Sequence, residues 1–204
     1  ASILIIGERT NVLGSAKFKG VFLQDDMDGM VAIGREQVRE GSHLVDICAD
    51  FTGRDVTKDL PPIVKAFATQ LQAPLSLDSN RWEAFEPALK LIGGRALVNS
   101  VNLEDGEDRF VEVLGMIHKY GAAVILGTID EEGMAKEAER KAAVAKRMAR
   151  IAVDRCGFRP QDLFFDPLAL TIGAGQESDR ALGRETLEGI RRIKAGIIAF
   201  SRAL

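Results

Sequence analysis

The stretch Pro74-Leu75-Ser76-Leu77-Asp78-Ser79-Asn80 decides the fold that this sequence predicts. Its first residues indicate a buried strand, and the strand ends in a run of polar side chains. The same layout recurs in residues 96–102, around Asn99, and in residues 163–167, around Asp166. Polar groups are costly inside a strand unless they meet a partner or a ligand, and a β/α barrel builds its site from such strand ends.

Strands and helices alternate along the rest of the chain, and no hairpin signal interrupts them. This order predicts a parallel α/β fold, either a doubly wound sheet or a barrel. The barrel is favoured because polar residues recur at nearly every strand end, whereas open sheets gather ligands at one switch point. The predicted strands are 3–6, 43–48, 75–78, 96–101, 122–129 and 162–166, with a tail at 197–200 that begins like a seventh. The predicted helices are 27–40, 57–71, 81–92, 108–120, 135–155 and 179–194.

Length and composition indicate one globular domain over residues 1–204. Hydrophobic residues make up 46% of the chain and charged residues 28%, as in ordinary globular proteins. The net charge of −3, with no basic block, gives no reason to expect nucleic acid. We also expect no membrane association, because no apolar run is long enough to span a bilayer and no signal peptide pattern is present.

The cysteines and histidines carry no metal or disulfide motif. Cys48 and Cys156 lie far apart, and neither His43 nor His118 lies near a cysteine or a second histidine. We therefore expect two free thiols in a reducing cytoplasm rather than a disulfide, and no zinc site in this chain.

Three strand-end residues are the leading candidates for ligand binding, namely Asp78, Asn99 and Asp166. A carboxylate accepts two parallel N–H bonds, and an amide donates and accepts side by side, so the trio suits a small flat heterocycle. The alternative is that these side chains cap the helices that follow them. For Asp166 the ligand role is favoured, because Pro167 fixes a turn rather than opening a helix.

Further polar residues follow the other strands and are candidates for the same rim. They are Glu8 and Asn11 after strand one, Asp46 in strand two, Ser100 after Asn99, and Thr128 at the end of strand five. For Glu8 the alternative is a surface ion pair with Arg9, with Asn11 in a turn. The basic helix 135–155, which includes Lys141, is interpreted as an exposed helical face balanced by acidic residues.

The motifs at these positions resemble those of the pterin-binding methyltransferases. The resemblance rests on Ile5-Ile6-Gly7-Glu8-Arg9-Thr10-Asn11, Leu77-Asp78-Ser79, Val98-Asn99-Ser100 and Phe165-Asp166-Pro167 and covers about residues 3–195. The family includes the folate-binding domain of cobalamin-dependent methionine synthase and the methyltetrahydrofolate:corrinoid/iron-sulfur protein methyltransferase. Dihydropteroate synthase is a more distant relative.

The resemblance implies a TIM (β/α)8-type barrel that binds 5-methyltetrahydrofolate. Its N5 methyl group would pass to cob(I)alamin carried by a corrinoid protein or a cobalamin-binding domain. The residue matching Asp166 binds the pyrimidine ring in the family, and those matching Asp78 and Asn99 complete the ring of hydrogen bonds. Methyl transfer needs a positive charge on N5, because a neutral amine leaves poorly, and this makes Asp78 and Asn99 the expected catalytic residues.

The tail departs from the family pattern. The family has eight strands, and this chain is expected to be a barrel truncated after about strand seven, with Arg202 at the position of a family Asn. Unpaired strand edges would favour a homodimer. Two alternatives to the methyltransferase are a non-catalytic pterin-binding module and a pterin enzyme like dihydropteroate synthase.

Overall fold

A computed structural model describes residues 3–169 and 181–203. The chain divides into two compact units, the first formed by residues 1–100 with 119–123 and the second by residues 101–118 with 124–204. We describe each unit by itself. In the part of the chain that the structure describes, no helix is long and apolar enough to cross a membrane.

The first unit contains parallel strands that pair in the order in which they occur in the chain. Partners in register include Ile47 with Leu77 and Leu77 with Val98, and all three side chains are fully buried. Continuous aliphatic strands of this kind need cover on both faces, as the sequence predicts. The strands are β1 (Ile6–Gly7), β2 (Leu44–Cys48), β3 (Leu75–Asp78) and β4 (Leu97–Val101), with the last residue of β4 in the second unit.

The helices of the first unit follow the predicted order, with one addition. Residues 17–20, expected to be a loop, lie in helix α1, because Ser15 caps its first turn and Phe18 and Phe22 bury one face. Asp55 is the N-cap of the second predicted helix, and its side chain accepts from the backbone N–H of Thr57. The helices are α1 (Ala16–Leu23), α2 (Met27–Arg39), α3 (Val56–Gln70) and α4 (Phe85–Leu89), the last preceded by a 3-10 turn, Trp82–Ala84.

Among its described residues, the second unit contains two further parallel strands and three helices. Leu126 of β5 pairs with Phe165 of β8, and helices α6 and α7 pack against each other. A short antiparallel hairpin, β6 with β7, follows β5 at residues 129–134, where the sequence indicated only a loop. The elements are α5 (Glu107–Lys119), β5 (Ala123–Gly127), β6 (Ile129–Asp130), β7 (Gly133–Met134), α6 (Ala138–Asp154), β8 (Leu163–Asp166) and α7 (Leu182–Ala203); the end of α5 and the start of β5 belong to the first unit.

The structure corrects two predictions at the ends of the chain. Strand one covers only Ile6–Gly7, and Ile3 is 80% exposed, so the run 3–6 is not a strand buried on both faces. The tail at 197–200 belongs to helix α7, so the predicted seventh strand is wrong. Gly196 costs a helix only about 1 kcal/mol, which does not stop α7 from continuing through the link where a new strand was expected. The start of the predicted helix 179–194 and most of the loop before it lie outside the described residues.

Candidate active site

The register of the first unit places its strand-end polar residues side by side. Cys48 of β2 pairs with Asp78 of β3, and Asp78 pairs with Asn99 of β4. Asp78 is the last residue of β3 and Asn99 is the middle residue of β4, and the parallel pairing makes them neighbours. Asp46 lies two residues before the end of β2, and its side chain joins the same group.

Asn11 reaches this group because its loop runs beside the end of β2. The backbone N–H of Val12 donates to the Cys48 carbonyl at 3.1 Å. The Asn11 Nδ2 then donates to Oδ2 of Asp78 at 2.9 Å. Its Oδ1 accepts from the backbone N–H groups of Leu13 and Gly14 at 2.8 and 3.1 Å, so the amide is oriented with its donor toward Asp78.

Asp46 is the most deeply buried carboxylate of the group, with 1% of its surface exposed. Its Oδ1 accepts a long bond of 3.5 Å from Nδ2 of Asn99, while its Oδ2 has no partner among the described residues. Burial raises the pKa of Asp46 to about 6, partly offset by the neighbouring Ser76 and Asn99. A buried acceptor with one free oxygen is a position where a ligand N–H would recover a lost hydrogen bond.

Asp78 also has a raised pKa, and for related reasons. Burial, followed by the charges of Asp46 and Asp50, raises the pKa of Asp78 to about 7. The pKa values of both Asp46 and Asp78 are therefore raised toward neutral pH. A carboxyl group in this range can both hold and release a proton under physiological conditions, which is the property that general acid catalysis needs.

Asp50, Ser79 and Asn80 form the supporting turn after β3. The Ser79 hydroxyl donates to Oδ1 of Asp50 at 2.8 Å, and the Asn80 backbone N–H donates to its Oδ2 at 2.7 Å. Ser79 also accepts from the backbone N–H of Arg81 at 2.9 Å. These hydrogen bonds give Asp50, Ser79 and Asn80 a structural role in this turn.

Glu8 and Ser100 lie at the border of the same group. Glu8 is exposed, and its charge contributes to the raised pKa values of both Asp46 and Asp78. The alternative for Glu8 was an ion pair with Arg9, but Arg9 pairs with Glu40 instead. Ser100 is half-buried beside Asn99.

The other two predicted site residues, Thr128 and Asp166, belong to the second unit. The backbone N–H of Thr128 donates to the Asp166 carbonyl at 3.0 Å, and Thr128 is fully buried with no hydrogen-bond partner for its hydroxyl among the described residues. The exposed Asp166 uses its Oδ1 to accept from the backbone N–H of Leu168 at 2.8 Å. Pro167 lies within that turn, as the sequence predicts.

Lys141 was expected on an exposed helical face, and the structure corrects this. Its side chain is completely buried, and its Nζ donates to the backbone carbonyls of Ala135, Pro167 and Leu168. The helical period of α6 carries the signal that was missed, because Lys141 lies three residues after the buried Ala138 and three before the buried Val144.

The structure also defines the state of the two cysteines. Both Cys48 and Cys156 are free thiols, as predicted. Burial raises the pKa of the Cys48 thiol to about 12, which makes it unreactive. Within residues 3–169 and 181–203, no group of three or more His, Cys, Asp or Glu residues is arranged to hold a metal ion.

Comparison with known sequences relates the chain to pterin enzymes. The family model described as pterin binding enzyme matches residues 7–203. The chain is 39% identical over 197 residues to a methionine synthase of Mycobacterium tuberculosis (strain ATCC 25618 / H37Rv) and 38% identical over 196 residues to that of Mycobacterium leprae (strain TN). Each match covers 95% of this chain and 16% of the relative, so the chain spans about one sixth of the length of these proteins.

Solved structures of low sequence identity share the fold. Dihydropteroate synthase from Stenotrophomonas maltophilia superposes with a TM-score of 0.67 at 19% identity, over 96% of this chain and 69% of that one. The enzyme from Xanthomonas albilineans, in complex with 7,8-dihydropteroate, gives a TM-score of 0.61 at 17% identity, over 95% and 68%. The barrel-type α/β fold predicted from the sequence is thereby confirmed.

Proposed function

This chain belongs to the pterin binding enzyme family, and we propose that it binds 5-methyltetrahydrofolate and passes the N5 methyl group to cob(I)alamin. Methionine synthases at 38–39% identity support the folate methyltransferase over other pterin chemistry. Because the chain covers 16% of those relatives, we further propose that the corrinoid is carried by a separate domain or protein. The reaction would take place in the cytoplasm, where free thiols persist.

The observation that carries the proposal is the pair of carboxyl groups of Asp46 and Asp78. Asp46 accepts a hydrogen bond from Asn99, and Asp78 accepts one from Asn11. A pterin presents amino, imino and carbonyl groups in a row on a flat ring, and two carboxylates with the amide of Asn99 match such a row. The unpartnered Oδ2 of Asp46 is a buried acceptor that a ring N–H would satisfy. A buried and a half-buried carboxyl group with raised pKa values are costly to keep without a ligand, which favours a binding role over a structural one.

In the proposed reaction, Asp78 supplies the electrostatic partner for N5. The methyl group leaves only when N5 carries a positive charge, which is formed by protonation and returns to a neutral amine as the methyl departs. A carboxyl group with a pKa of about 7 can give that proton and then, as a carboxylate, stabilise the cation. Asn11 keeps Asp78 oriented, and Asn99 contributes an amide that both donates and accepts. The corrinoid, when bound, supplies the nucleophile that takes the methyl group.

The remaining predicted residues receive binding roles under the same proposal. Asp166 binds the pyrimidine ring and Thr128 offers its unpartnered hydroxyl to the ligand. Ser100 contacts the ligand beside Asn99. The negative charge of Glu8 raises the pKa values of Asp46 and Asp78.

Titration calorimetry with 5-methyltetrahydrofolate tests binding, and absorbance spectroscopy with free cob(I)alamin tests transfer. We expect micromolar binding by the wild-type chain and loss of at least tenfold in the Asp78→Asn variant. Asp28→Asn, an exposed residue of α2, is the matched control and should bind like wild type. Binding without transfer would leave a pterin-binding module, and product formation that depends on p-aminobenzoate would indicate dihydropteroate synthase chemistry instead. A folded chain that binds no pterin would refute the proposal.

A further inference from the structure

We propose that Lys141 is a positioning residue for the pterin site, because its buried ammonium group anchors the turn that carries Asp166. This inference deepens the proposed function and rests on it for the identity of the ligand. Lys141 itself donates all of its hydrogen bonds to backbone carbonyls, so it acts on the ligand through Asp166 rather than by contact.

The hydrogen bonds of Lys141 require a charged ammonium group. Its Nζ donates to the carbonyls of Ala135 at 2.7 Å, Leu168 at 3.2 Å and Pro167. Three acceptors match the three N–H donors of an ammonium group, whereas a neutral amine has only two. Lys141 is 0% exposed, so water does not compete for these bonds. It therefore joins the segment after the β6–β7 hairpin to the turn after β8.

Helix α7 leaves space for the Lys141 side chain at Gly189. A Cβ added at Gly189 would lie 2.8 Å from Cδ of Lys141, closer than two carbon atoms can approach. Thr186, one turn earlier in α7, donates from its Oγ1 to the Leu168 carbonyl at 3.2 Å. The same carbonyl thus receives bonds from Lys141 and Thr186, and both hold one end of the turn.

The turn needs this support because its backbone is strained. Leu168 has a φ of 59°, in the left-handed region that non-glycine residues rarely adopt. Its N–H donates to Oδ1 of Asp166, so the orientation of the carboxylate depends on the backbone at Leu168. Lys141 holds the Leu168 carbonyl by a hydrogen bond, and the Leu168 N–H in turn holds the Asp166 carboxylate.

Burial lowers the pKa of Lys141, and the negative charges of Asp166 and Glu185 oppose that shift and favour the ammonium form. Glu185 uses its Oε2 to accept from the Ala138 N–H at the start of α6, at 2.9 Å, so its position is set by that helix. Asp166 is the exposed member of the pair, at the end of β8. A fixed buried cation behind an exposed carboxylate pre-organises that carboxylate for a ligand with parallel N–H donors.

The first test compares two lysine substitutions in the same helix. Lys141→Met keeps the length of the side chain and removes the charge and the donors, and Lys146→Met is the matched control on an exposed position. We expect titration calorimetry to show 5-methyltetrahydrofolate binding 10- to 100-fold weaker in Lys141→Met and unchanged in Lys146→Met. Equal affinity in a folded Lys141→Met variant would overturn the inference while leaving the proposed function intact.

A double-mutant cycle separates positioning from a general structural effect. If Lys141 acts through Asp166, adding Lys141→Met to Asp166→Asn should weaken binding by less than about twofold beyond Asp166→Asn. Independent losses that multiply would contradict the inference. Thr186→Val, which removes one bond to the same carbonyl, serves if Lys141→Met does not fold, and we expect it to weaken binding several-fold; unchanged binding would count against the anchor.

Amide hydrogen exchange at Leu168 tests the anchor without any ligand. Nuclear magnetic resonance should show this amide exchanging at least tenfold faster in the substituted protein than in wild type, because the turn is released. An unchanged rate would overturn the inference even if no pterin binds. Absence of pterin binding in wild type, by contrast, would refute the proposed function alone.

Discussion

Asn11 donates a hydrogen bond of 2.9 Å to Asp78 across 67 residues of chain. The bond joins the loop after β1 to the end of β3, and it brings an oriented amide to a carboxyl group whose pKa is raised to about 7. Since the Oδ1 of Asn11 is already used by two backbone N–H groups, its Nδ2 is committed to Asp78. Asn11 therefore fixes the orientation of the Asp78 carboxyl group.

Replacing Asn11 should weaken ligand binding by more than any loss of stability explains. Asn11→Ala removes the donor to Asp78, and we expect the affinity for 5-methyltetrahydrofolate to fall by about 1–3 kcal/mol, measured by titration calorimetry. Asn80→Ala is the control, because Asn80 is exposed and its backbone rather than its side chain supports the turn. Comparable losses in the two variants would argue against a role for Asn11 at the site.

The buried carboxylates should make the protein less stable as pH rises. The pKa of Asp46 is raised to about 6 and that of Asp78 to about 7, above the ordinary value of about 3.9. At pH values between the ordinary pKa and the raised pKa of these groups, the folded protein binds more protons than the unfolded chain. The free energy of unfolding therefore falls as pH rises. Carboxylates with lowered pKa, such as Glu131, act in the opposite direction only below about pH 5.

Urea denaturation between pH 5 and 7.5 measures this effect. We expect the free energy of unfolding to fall by roughly 1–3 kcal/mol over that range. The slope should become shallower in Asp46→Asn and stay as in wild type in Asp28→Asn. A stability that rises across the range would mean that Asp46 and Asp78 are not protonated as their burial requires.

Asp46→Asn should stabilise the fold and weaken the site. At pH 8 the substitution replaces a buried charge with a neutral amide of nearly the same shape, and we expect a gain of about 1–2 kcal/mol in the free energy of unfolding. Affinity for 5-methyltetrahydrofolate should fall in the same variant, because the acceptor with the free oxygen is lost. A substitution that stabilises the fold and weakens ligand binding is typical of a residue that is kept for function at the expense of stability. A variant that binds normally would assign Asp46 a role outside the site.

Two glycines of α7 should respond in opposite directions to alanine. Gly189→Ala places a methyl group 2.8 Å from Cδ of the anchored Lys141 side chain, and we expect a loss of about 1–3 kcal/mol in thermal or urea unfolding. Gly196→Ala meets nothing within 4 Å and improves helix propensity, so we expect a gain of about 0.5–1 kcal/mol. If both variants gain stability, Lys141 is not confined as the structure indicates.

Several elements could be predicted because their signals are local. The strands around Leu77 and Phe165 are short apolar runs that end at Asp78 and Asp166, as the pattern indicates, whereas the strand around Val98 continues past Asn99 to Val101. Parallel pairing then makes neighbours of Asp78 and Asn99 without further information. The sequence signals fail at the chain ends. The apolar run at 3–5 is exposed, and the apolar tail continues helix α7. A short apolar run is compatible with a strand or with a helix, so its sequence does not decide between them.

The sequence by itself determined the α/β order of the chain, the family motifs, and which carboxylates and amides end the strands. Only the tertiary structure decided that Asn11 bonds Asp78, that Asp46 keeps one oxygen without a partner, and that Lys141 lies buried behind the Asp166 turn. The physical reason is that residue type and spacing report on local backbone preference, whereas proton affinity and anchoring depend on burial and on distances between residues far apart in the chain.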